Sequence, residues 1–283
     1  MGTPAAGPDE IGPRLLQELE GAATAALTII FRESVASGVV PDDWRRANVT
    51  PIFKKGTKMD PGNYRPVSLT SVCCKILEGL LKTTIMKHLE VNNLVNSSQH
   101  GFMAGRSCCT NLLEFLEEVT RAVDEGVPVD VIYLDFAKAF DKVPKERLLE
   151  KLRAHGVSGH LLRWIRNWLT GRQQRVVLNG KKSGWEQVLS GVPQGSVLGP
   201  LLFMIFINDL DVAARKAKFL KKFADDTKLG GRVSTEEERA ALQEALNELC
   251  VWAATWGMEF NVKKCKVLHI GKTRIHHERA AAR

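Results

Sequence analysis

No stretch of this sequence is apolar for long enough to cross a bilayer. The longest uninterrupted apolar run, residues 201–207, is far shorter than the roughly 20 residues of a membrane-spanning helix. The first residues lack the cationic region and apolar core of a signal peptide. The six cysteines include adjacent pairs at 73–74 and 108–109, which are poor disulfide partners, and none has the close spacing of a zinc knuckle. These absences predict a reduced, soluble, intracellular protein, nuclear or cytoplasmic, without a visible targeting signal.

What the sequence does have is a surplus of positive charge. The 40 Lys and Arg residues outnumber the 32 Asp and Glu residues, which gives a net charge of +8 and a pI of about 9.2. A basic balance suits a polyanionic partner such as nucleic acid, although many basic proteins bind none. At 283 residues and 44% hydrophobic content, the chain is long enough for one large domain or two joined lobes. The positive charge is consistent with nucleic-acid binding but does not by itself identify the partner.

The apolar pattern changes repeatedly between helical and extended periods. Residues 1–13 are rich in Gly, Pro and Ala and are predicted to be poorly ordered. A capping box of Ser234 and Glu237 is predicted to open the last helix. The mixed order of helices and strands, with few regular βαβ units, predicts an α+β fold. Predicted helices lie near residues 13–35, 76–89, 110–123, 145–154, 159–169, from 200 and from 234, and predicted strands near 47–53, 127–135, 174–178 and 266–270.

Two acidic clusters follow strand-like stretches. Asp135 ends the apolar run 131–134, and the pair Asp225-Asp226 follows a second strand-like flank. All three carboxylates are therefore predicted to lie where strand ends meet. Two Mg²⁺ ions held by such groups can clamp both oxygens of an in-line phosphoryl displacement. An Asp after a strand or in a turn is usually structural when it stands alone, so the neighbouring motifs decide the interpretation.

Three motifs follow one another along the chain. They are Tyr133-Leu134-Asp135-Phe136-Ala137-Lys138-Ala139-Phe140-Asp141, then Ser190-Gly191-Val192-Pro193-Gln194-Gly195-Ser196-Val197-Leu198-Gly199-Pro200, then Phe223-Ala224-Asp225-Asp226. In this order they resemble motifs A, B and C of reverse transcriptases, most closely those of LINE-type (non-LTR) retrotransposons. Residues 63–69, 99–107 and 261–265 are similar to further motifs of that family, the last of them to motif D. The resemblance covers nearly the whole chain, from about residue 13 to residue 271.

The resemblance implies a right-hand polymerase fold with fingers and palm subdomains. The fingers are predicted over about residues 14–126 and the palm over about 127–271, with a basic, Ala-rich tail at 272–283. A truncated form is expected, because no endonuclease region precedes the motifs and no thumb follows motif D.

The resemblance also implies the metal ligands. Asp135 and Asp225 are the expected principal ligands, with Asp226 beside them as a secondary one. The backbone carbonyl of Phe136 is expected to complete a metal shell, since hard cations favour oxygen. The implied cofactor is a pair of Mg²⁺ ions, for which Mn²⁺ can substitute.

Several residues are expected to contact the incoming nucleotide. Beside Phe136, Phe140 matches the family's steric-gate position, where a bulky ring crowds a ribose 2′-OH; the alternative is an ordinary core Phe. Arg65 is expected on the triphosphate, which suits a guanidinium fork. Gln194 and Gly195 resemble residues that touch the nucleotide, because glycine lets the backbone approach closely. A tight turn leading into a helix explains the same loop equally.

A second group is expected to contact the template. Lys54 and Lys55 lie at a predicted hairpin tip and are candidates for phosphate contacts, although a merely solvated turn explains them as well. Arg106 is expected on the template backbone, with Ser196 as a weaker candidate.

Lys264 resembles the motif D lysine that protonates the departing pyrophosphate, with neighbouring Lys263 as its competitor.

The implied function is RNA-directed DNA synthesis. Such an enzyme adds deoxynucleotides from their triphosphates to a DNA primer on an RNA template, and no membrane is involved. The alternative is a catalytically silent remnant that still binds nucleic acid. RNA-templated RNA synthesis is disfavoured by the ring of Phe140.

Overall fold

The computed structural model describes residues 6–271. The predicted tail, residues 272–283, and residues 1–5 of the predicted poorly ordered start lie outside this range. Within residues 6–13, Gly7 is buried, and a Cβ added to it would lie 2.7 Å from the backbone N of Ser71; the prediction for that start otherwise stays a prediction. Among the described residues, no helix combines the length and the apolar character needed to cross a membrane.

Helices and strands alternate irregularly, as the sequence pattern predicts for an α+β fold. The helices are α1 (Pro13–Ser37), α2 (Val72–Val91), α3 (Cys108–Asp124), α4 (Ala139–Lys142), α5 (Lys145–Ala154), α6 (Gly159–Leu169), α7 (Leu198–Phe206), α8 (Leu210–Ala213) and α9 (Glu236–Trp256). The strands are β1 (Arg46–Phe53), β2 (Tyr64–Thr70), β3 (Val129–Leu134), β4 (Gln173–Leu178), β5 (Lys181–Lys182), β6 (Glu186–Gln187), β7 (Phe219–Phe223), β8 (Asp226–Arg232) and β9 (Lys266–Ile270).

The chain divides into two compact units, and each takes two stretches of sequence. The first unit contains the described residues up to Asn92 together with Val143–Leu202, and the second contains Asn93–Lys142 together with the residues from Phe203 onward. The predicted fingers and palm were consecutive segments instead. The difference arises because β4 pairs in parallel with β1, a long-range contact that returns residues 173–178 to the first unit. The functional assignment of fingers and palm stays a prediction.

The sheet of the first unit has the order β2-β1-β4-β5, with β6 also paired to β4. Strands β1 and β2 form an antiparallel hairpin in which Pro51 lies opposite Pro66. Strand β2 includes Pro66 and lies at an edge of this sheet, where a proline without an N–H group is tolerated.

The sheet of the second unit has the order β7-β8-β3-β9, and every neighbouring pair is antiparallel. Its central strand β3 is almost entirely buried, as its continuous apolar run predicts. Helix α3 contributes to the core beside it. That core cluster contains Phe115, Val119, Ala122, Val129, Val131 and Phe219.

Helix α9 begins one residue later than the sequence predicts. Thr235, and not Ser234, is the N-cap, and its hydroxyl accepts a hydrogen bond from the backbone N of Glu238. The Glu238 carboxylate in turn accepts from the backbone N of Ser234 and Thr235, so the capping box is real but shifted from Ser234 and Glu237. Both pairs have the required spacing, and only the fold shows which one lies at the helix start.

Candidate active site

The register of the second sheet brings the two acidic clusters to the same sheet end. Leu134, the last residue of β3, pairs with Thr227 of β8. Asp135 therefore leaves β3 where Asp226 opens β8, and Asp225 precedes it in the turn from β7. The three carboxylates therefore lie at one end of the sheet, as the sequence predicts. Antiparallel pairing brings them there, and the spacing of the residues along the sequence does not specify that pairing.

Burial and neighbouring charges act on two of the carboxylates, Asp225 and Asp226. Burial raises the pKa of Asp225, and the nearby charges of Asp226 and Asp135 raise it further. Burial likewise raises the pKa of Asp226, with Asp135 adding to the effect. The positive charge of Lys264 opposes both shifts without cancelling them. The folded chain therefore disfavours the charged forms of Asp225 and Asp226, and a bound cation would favour them.

Lys264 reaches this end of the sheet through β9. Tyr133 pairs with Lys266, and the backbone N of Asn261 donates to the carbonyl of Asp135 at 2.7 Å. The Nζ of Lys264 lies 3.1 Å from each carboxylate oxygen of Asp135. This cation is thus the direct partner of the acid that the sequence singles out first.

The carboxylates do not form a closed metal cage. Among residues 6–271, no three His, Cys, Asp or Glu side chains lie together in a way that holds a metal ion. Mg²⁺ does not require such a cage, because it is usually held by one or two carboxylates, waters and substrate phosphates. These carboxylates offer oxygen donors only, which fits Mg²⁺ chemically.

Two phenylalanines of the first motif pack differently. The Phe136 ring is buried and stacks on Phe260 with a centroid distance of 4.6 Å, so only its backbone is available to a ligand. The Phe140 ring is half-buried, stacks on Phe203 at 4.6 Å and meets Phe102 edge-on at 6.3 Å. Its packing holds the ring in one orientation while part of it stays exposed.

In the first unit, the Gly/Pro loop before α7 lies against β2. Gly195 has a φ of 115°, and a Cβ added to it would lie 2.5 Å from the carbonyl oxygen of Ser68. The backbone N of Ser68 donates to the carbonyl of Gln194 at 2.7 Å. Close approach and left-handed backbone together require glycine here. Arg65, on the same strand, is exposed.

Ser196 is committed to the loop itself. Its buried hydroxyl donates to the Pro193 carbonyl at 2.8 Å and accepts from the Gly199 backbone N at 3.0 Å. These two bonds stabilise the loop and the first turn of α7, so the tight-turn interpretation describes this residue well.

A buried glutamate that sequence reasoning did not single out anchors the same loop. Glu78 of α2 is fully buried, and its Oε2 accepts from the backbone N of Val197 at 2.7 Å and of Leu198 at 3.0 Å. Its Oε1 accepts from the indole N–H of Trp168 at 3.2 Å. The nearby positive charge of Arg172, itself buried, interacts with it. An ionisable residue on the buried face of α2 was the available signal.

The remaining predicted contacts are exposed or locally bonded. Lys54 and Lys55 lie exposed between β1 and β2, at the predicted hairpin tip. The Arg106 guanidinium donates to the carbonyls of Ser97 and Gln99 in its own loop. The second unit thus gathers Asp135, Phe136, Phe140, Asp225, Asp226, Lys264 and Arg106, and the first unit carries Lys54, Lys55, Arg65, Gln194, Gly195 and Ser196.

Comparison with known sequences matches the motifs to one family. Residues 52–279 match the family model described as reverse transcriptase (RNA-dependent DNA polymerase). A probable RNA-directed DNA polymerase from transposon X-element of Drosophila melanogaster is 29% identical over 92% of this chain. The RNA-directed DNA polymerase from mobile element jockey of Drosophila funebris is 30% identical over 92% of this chain. The chain spans 29% of the length of each of these relatives.

Comparison with solved structures addresses the fold. An apo telomerase structure from Candida tropicalis, truncated from the C-terminal domain, superposes with a TM-score of 0.62 at 12% sequence identity, over 90% of this chain and 56% of that one. The likeness confirms the α+β class and the right-hand polymerase fold. A third relative is the retrovirus-related Pol polyprotein from type-1 retrotransposable element R1 of Bradysia coprophila, which is 28% identical over 94% of this chain. The three relatives confirm the resemblance to non-LTR retrotransposon polymerases.

Proposed function

Because the chain belongs to the reverse transcriptase (RNA-dependent DNA polymerase) family, we propose that it carries out RNA-templated addition of deoxynucleotides to a primer 3′-OH. The observation that carries this proposal is the β3–β8 register, which sets Asp135 beside the Asp225-Asp226 turn. Raised pKa values at Asp225 and Asp226, caused first by burial, support a cation-binding role for that cluster.

The proposed cofactor is Mg²⁺, with Mn²⁺ as a substitute. Asp135 and Asp225 are the proposed principal ligands, Asp226 is a secondary one, and the carbonyl of Phe136 is a further oxygen donor. Two bound Mg²⁺ ions would supply activation of the primer 3′-OH and stabilisation of the departing pyrophosphate. Asp135 must release Lys264 for this role, since the ammonium contacts both of its oxygens.

Lys264 is then free to act as a general acid. Its ammonium lies against Asp135 in the acidic cluster, where it would donate a proton to the departing pyrophosphate. Proton donation to that oxygen lowers the charge that develops on pyrophosphate as the P–O bond breaks. Lys263 is the competing residue, and the contact of Lys264 with Asp135 favours Lys264.

The nucleotide and template contacts are proposed from the remaining residues. The partly exposed ring of Phe140 would exclude a 2′-OH, and Arg65 would bind the triphosphate. Backbone at Gln194 and Gly195 would face the nucleotide, held by the loop's contact with Ser68.

For the template, exposed Lys54 and Lys55 would contribute phosphate contacts, as would Arg106. Ser196 is the weakest candidate, because its hydroxyl is already bonded within the loop.

Primer extension tests the proposal directly. The native chain and its Asp225→Asn variant are given an RNA template, a DNA primer, deoxynucleotides and Mg²⁺, and template binding is measured in parallel by fluorescence anisotropy. Incorporation by the native chain, lost in Asp225→Asn and in EDTA with binding retained, is expected. Binding without incorporation by the native chain would instead identify a silent nucleic-acid-binding protein.

A further inference from the structure

The turn that carries Asp225 has a strained backbone. Phe223 pairs with Asp226 across the β7–β8 hairpin, so Ala224 and Asp225 form a two-residue connection. Ala224 has a φ of 53°, in the left-handed region that residues other than glycine, asparagine and aspartate rarely enter. Hairpins of this kind usually place glycine at such a position. Surrounding contacts must therefore hold Ala224 in this conformation.

One buried side chain contacts this turn directly. The Oε1 of Gln99 accepts hydrogen bonds from the backbone N of Ala224 at 3.2 Å and of Gly101 at 2.7 Å. Gln99 is 1% exposed, so water does not compete for these bonds. Both partners are donors, which fixes the carbonyl end of the side-chain amide toward the turn.

The backbone around Gln99 is aligned with β7. The backbone N of Lys222 donates to the Ser98 carbonyl at 2.8 Å, and the backbone N of His100 donates to the Lys222 carbonyl at 2.9 Å. Gly101 then passes so close to the turn that an added Cβ would lie 2.3 Å from the backbone N of Ala224. The segment 98–101 therefore forms a rigid support, and the Gln99 side chain extends that support to the amide of Ala224.

We propose that Gln99 is a positioning residue that fixes the Ala224-Asp225 turn and thereby aims the Asp225 and Asp226 carboxylates at the cation that they share. This inference rests on the proposed function for the identity of that cation. The side chain acts through the Ala224 amide and touches neither carboxylate. Gln99 does more than fill space in the core. An apolar side chain of equal size would fill the same space without accepting the hydrogen bond from the Ala224 N–H.

The other end of the Gln99 amide supports this interpretation. Its Nε2 is buried and has no hydrogen-bond partner within the described part of the chain. A buried unpaired donor is destabilising, and a methionine or leucine would avoid that cost. The bonds accepted by Oε1 are what such an apolar residue would lose.

Two variants of Gln99 separate holding the turn from filling the core. Gln99→Met keeps the length of the side chain but accepts no hydrogen bond, whereas Gln99→Glu keeps an acceptor oxygen for both amides. Val129→Ala is the control for general damage to the core, since Val129 is buried in the same unit at the end of β3 that is farther from Asp135. Thermal midpoints establish that all three variants fold.

The first measurement is amide hydrogen exchange at Ala224, followed by NMR on the full chain labelled with ¹⁵N-alanine. The second is the Kd for Mn²⁺ alone, measured by electron paramagnetic resonance. Gln99→Met is expected to speed exchange at Ala224 about tenfold and to weaken Mn²⁺ binding at least about tenfold. Gln99→Glu should restore slow exchange, and Val129→Ala should match the native chain in both measurements.

Unchanged exchange and unchanged Mn²⁺ affinity in Gln99→Met would overturn the inference. Equal losses in Val129→Ala would also overturn it, because any damage to the core would then be enough to produce them. Neither measurement needs catalysis. A native chain that fails to extend a primer or to bind Mn²⁺, while exchange at Ala224 still depends on Gln99, overturns the proposed function and leaves the link between Gln99 and the turn standing.

Discussion

The ammonium of Lys264 lies 3.1 Å from both carboxylate oxygens of Asp135, although the two residues are 129 positions apart. The contact forms because β9 pairs with β3. Strand β8 pairs with the other side of β3, so three distant segments meet at one end of the sheet. Such a two-point contact places the cation at the group that would bind metal. It gives Lys264 a position that its neighbour Lys263 does not have.

Replacing Lys264 is therefore expected to affect chemistry more than stability. Lys264→Gln should lower the rate of single-nucleotide incorporation by about 100-fold, since a general acid contributes about that much or more. The free energy of unfolding should change by less than about 1 kcal/mol, because the side chain is mostly exposed. Rapid-quench kinetics measures the rate. Lys263→Gln is the matched control, and an equal or larger loss in that variant would assign the role to Lys263.

Removing one carboxylate should stabilise the metal-free protein. Burial and the neighbouring acids raise the pKa of Asp225, which means that ionising it is harder in the folded than in the unfolded chain. In EDTA at pH 7, Asp225→Asn is expected to raise the thermal midpoint by about 2–4 °C. Asp124→Asn, at an exposed position, should leave it unchanged. Added Mg²⁺ should stabilise the native chain and not Asp225→Asn.

The same stabilisation should depend on pH in a defined direction. A raised folded-state pKa makes the ionised carboxylate destabilising, so its cost is absent below the ordinary value of 3.8 and grows as the pH rises through the folded-state pKa. The difference in unfolding free energy between Asp225→Asn and the native chain should therefore be small near pH 3.5 and reach a plateau by neutral pH. Urea titrations in EDTA measure it, and a difference that is constant with pH would contradict the electrostatic cause.

Phe140 should decide which sugar is accepted. Phe140→Ala removes a half-buried ring that stacks on Phe203, and it is expected to reduce the preference for deoxynucleotides over ribonucleotides by about tenfold or more. The ratio of kcat/KM for the two nucleotides measures this preference. Phe102→Ala is the control, since Phe102 touches the same ring edge-on without being the gate. An unchanged ratio in Phe140→Ala would leave Phe140 as an ordinary packing residue.

Gly195 should tolerate no side chain. Gly195→Ala must accommodate both the φ of 115° and a contact of 2.5 Å with the Ser68 carbonyl, which is expected to cost at least about 1–3 kcal/mol of unfolding free energy. The KM for the nucleotide should rise as the loop moves away from β2. Gly184→Ala provides the comparison, because a Cβ there meets nothing within 4 Å. Equal behaviour of the two variants would refute the close approach.

Glu78 should be critical for stability without touching substrate. Its carboxylate accepts from two loop amides and an indole while facing the buried Arg172. Glu78→Gln removes the negative charge that balances the Arg172 guanidinium. It also places the amide NH₂ of glutamine against N–H groups that need an acceptor. We therefore expect a loss of about 3–5 kcal/mol in unfolding free energy. Chemical denaturation measures it, and Glu90→Gln, exposed on the same helix, serves as control. A loss of under about 1 kcal/mol would show that the network is dispensable.

The sequence by itself predicted many of the helices and strands, and its motifs named the residues of the candidate site. Helical periodicity predicted α5 and α6 with their observed bounds, and the apolar run before Asp135 predicted β3. The acidic clusters, the Gly/Pro loop and Phe140 were recognisable because their chemistry depends on residue type and local order. Local spacing carries that information, since hydrogen-bonding period and turn preference act over a few residues.

Only the tertiary structure decided which distant residues meet. The pairing of β1 with β4 places sequence from two parts of the chain in one unit, and the register of β3 between β8 and β9 sets Lys264 on Asp135. Folding also buries Glu78 beside the backbone N of Val197 and Gln99 beside that of Ala224, and each side chain accepts a hydrogen bond there. Such contacts depend on which strand or helix lies alongside. Burial of the whole core supplies the free energy that selects these neighbours. A local sequence pattern does not contain that information.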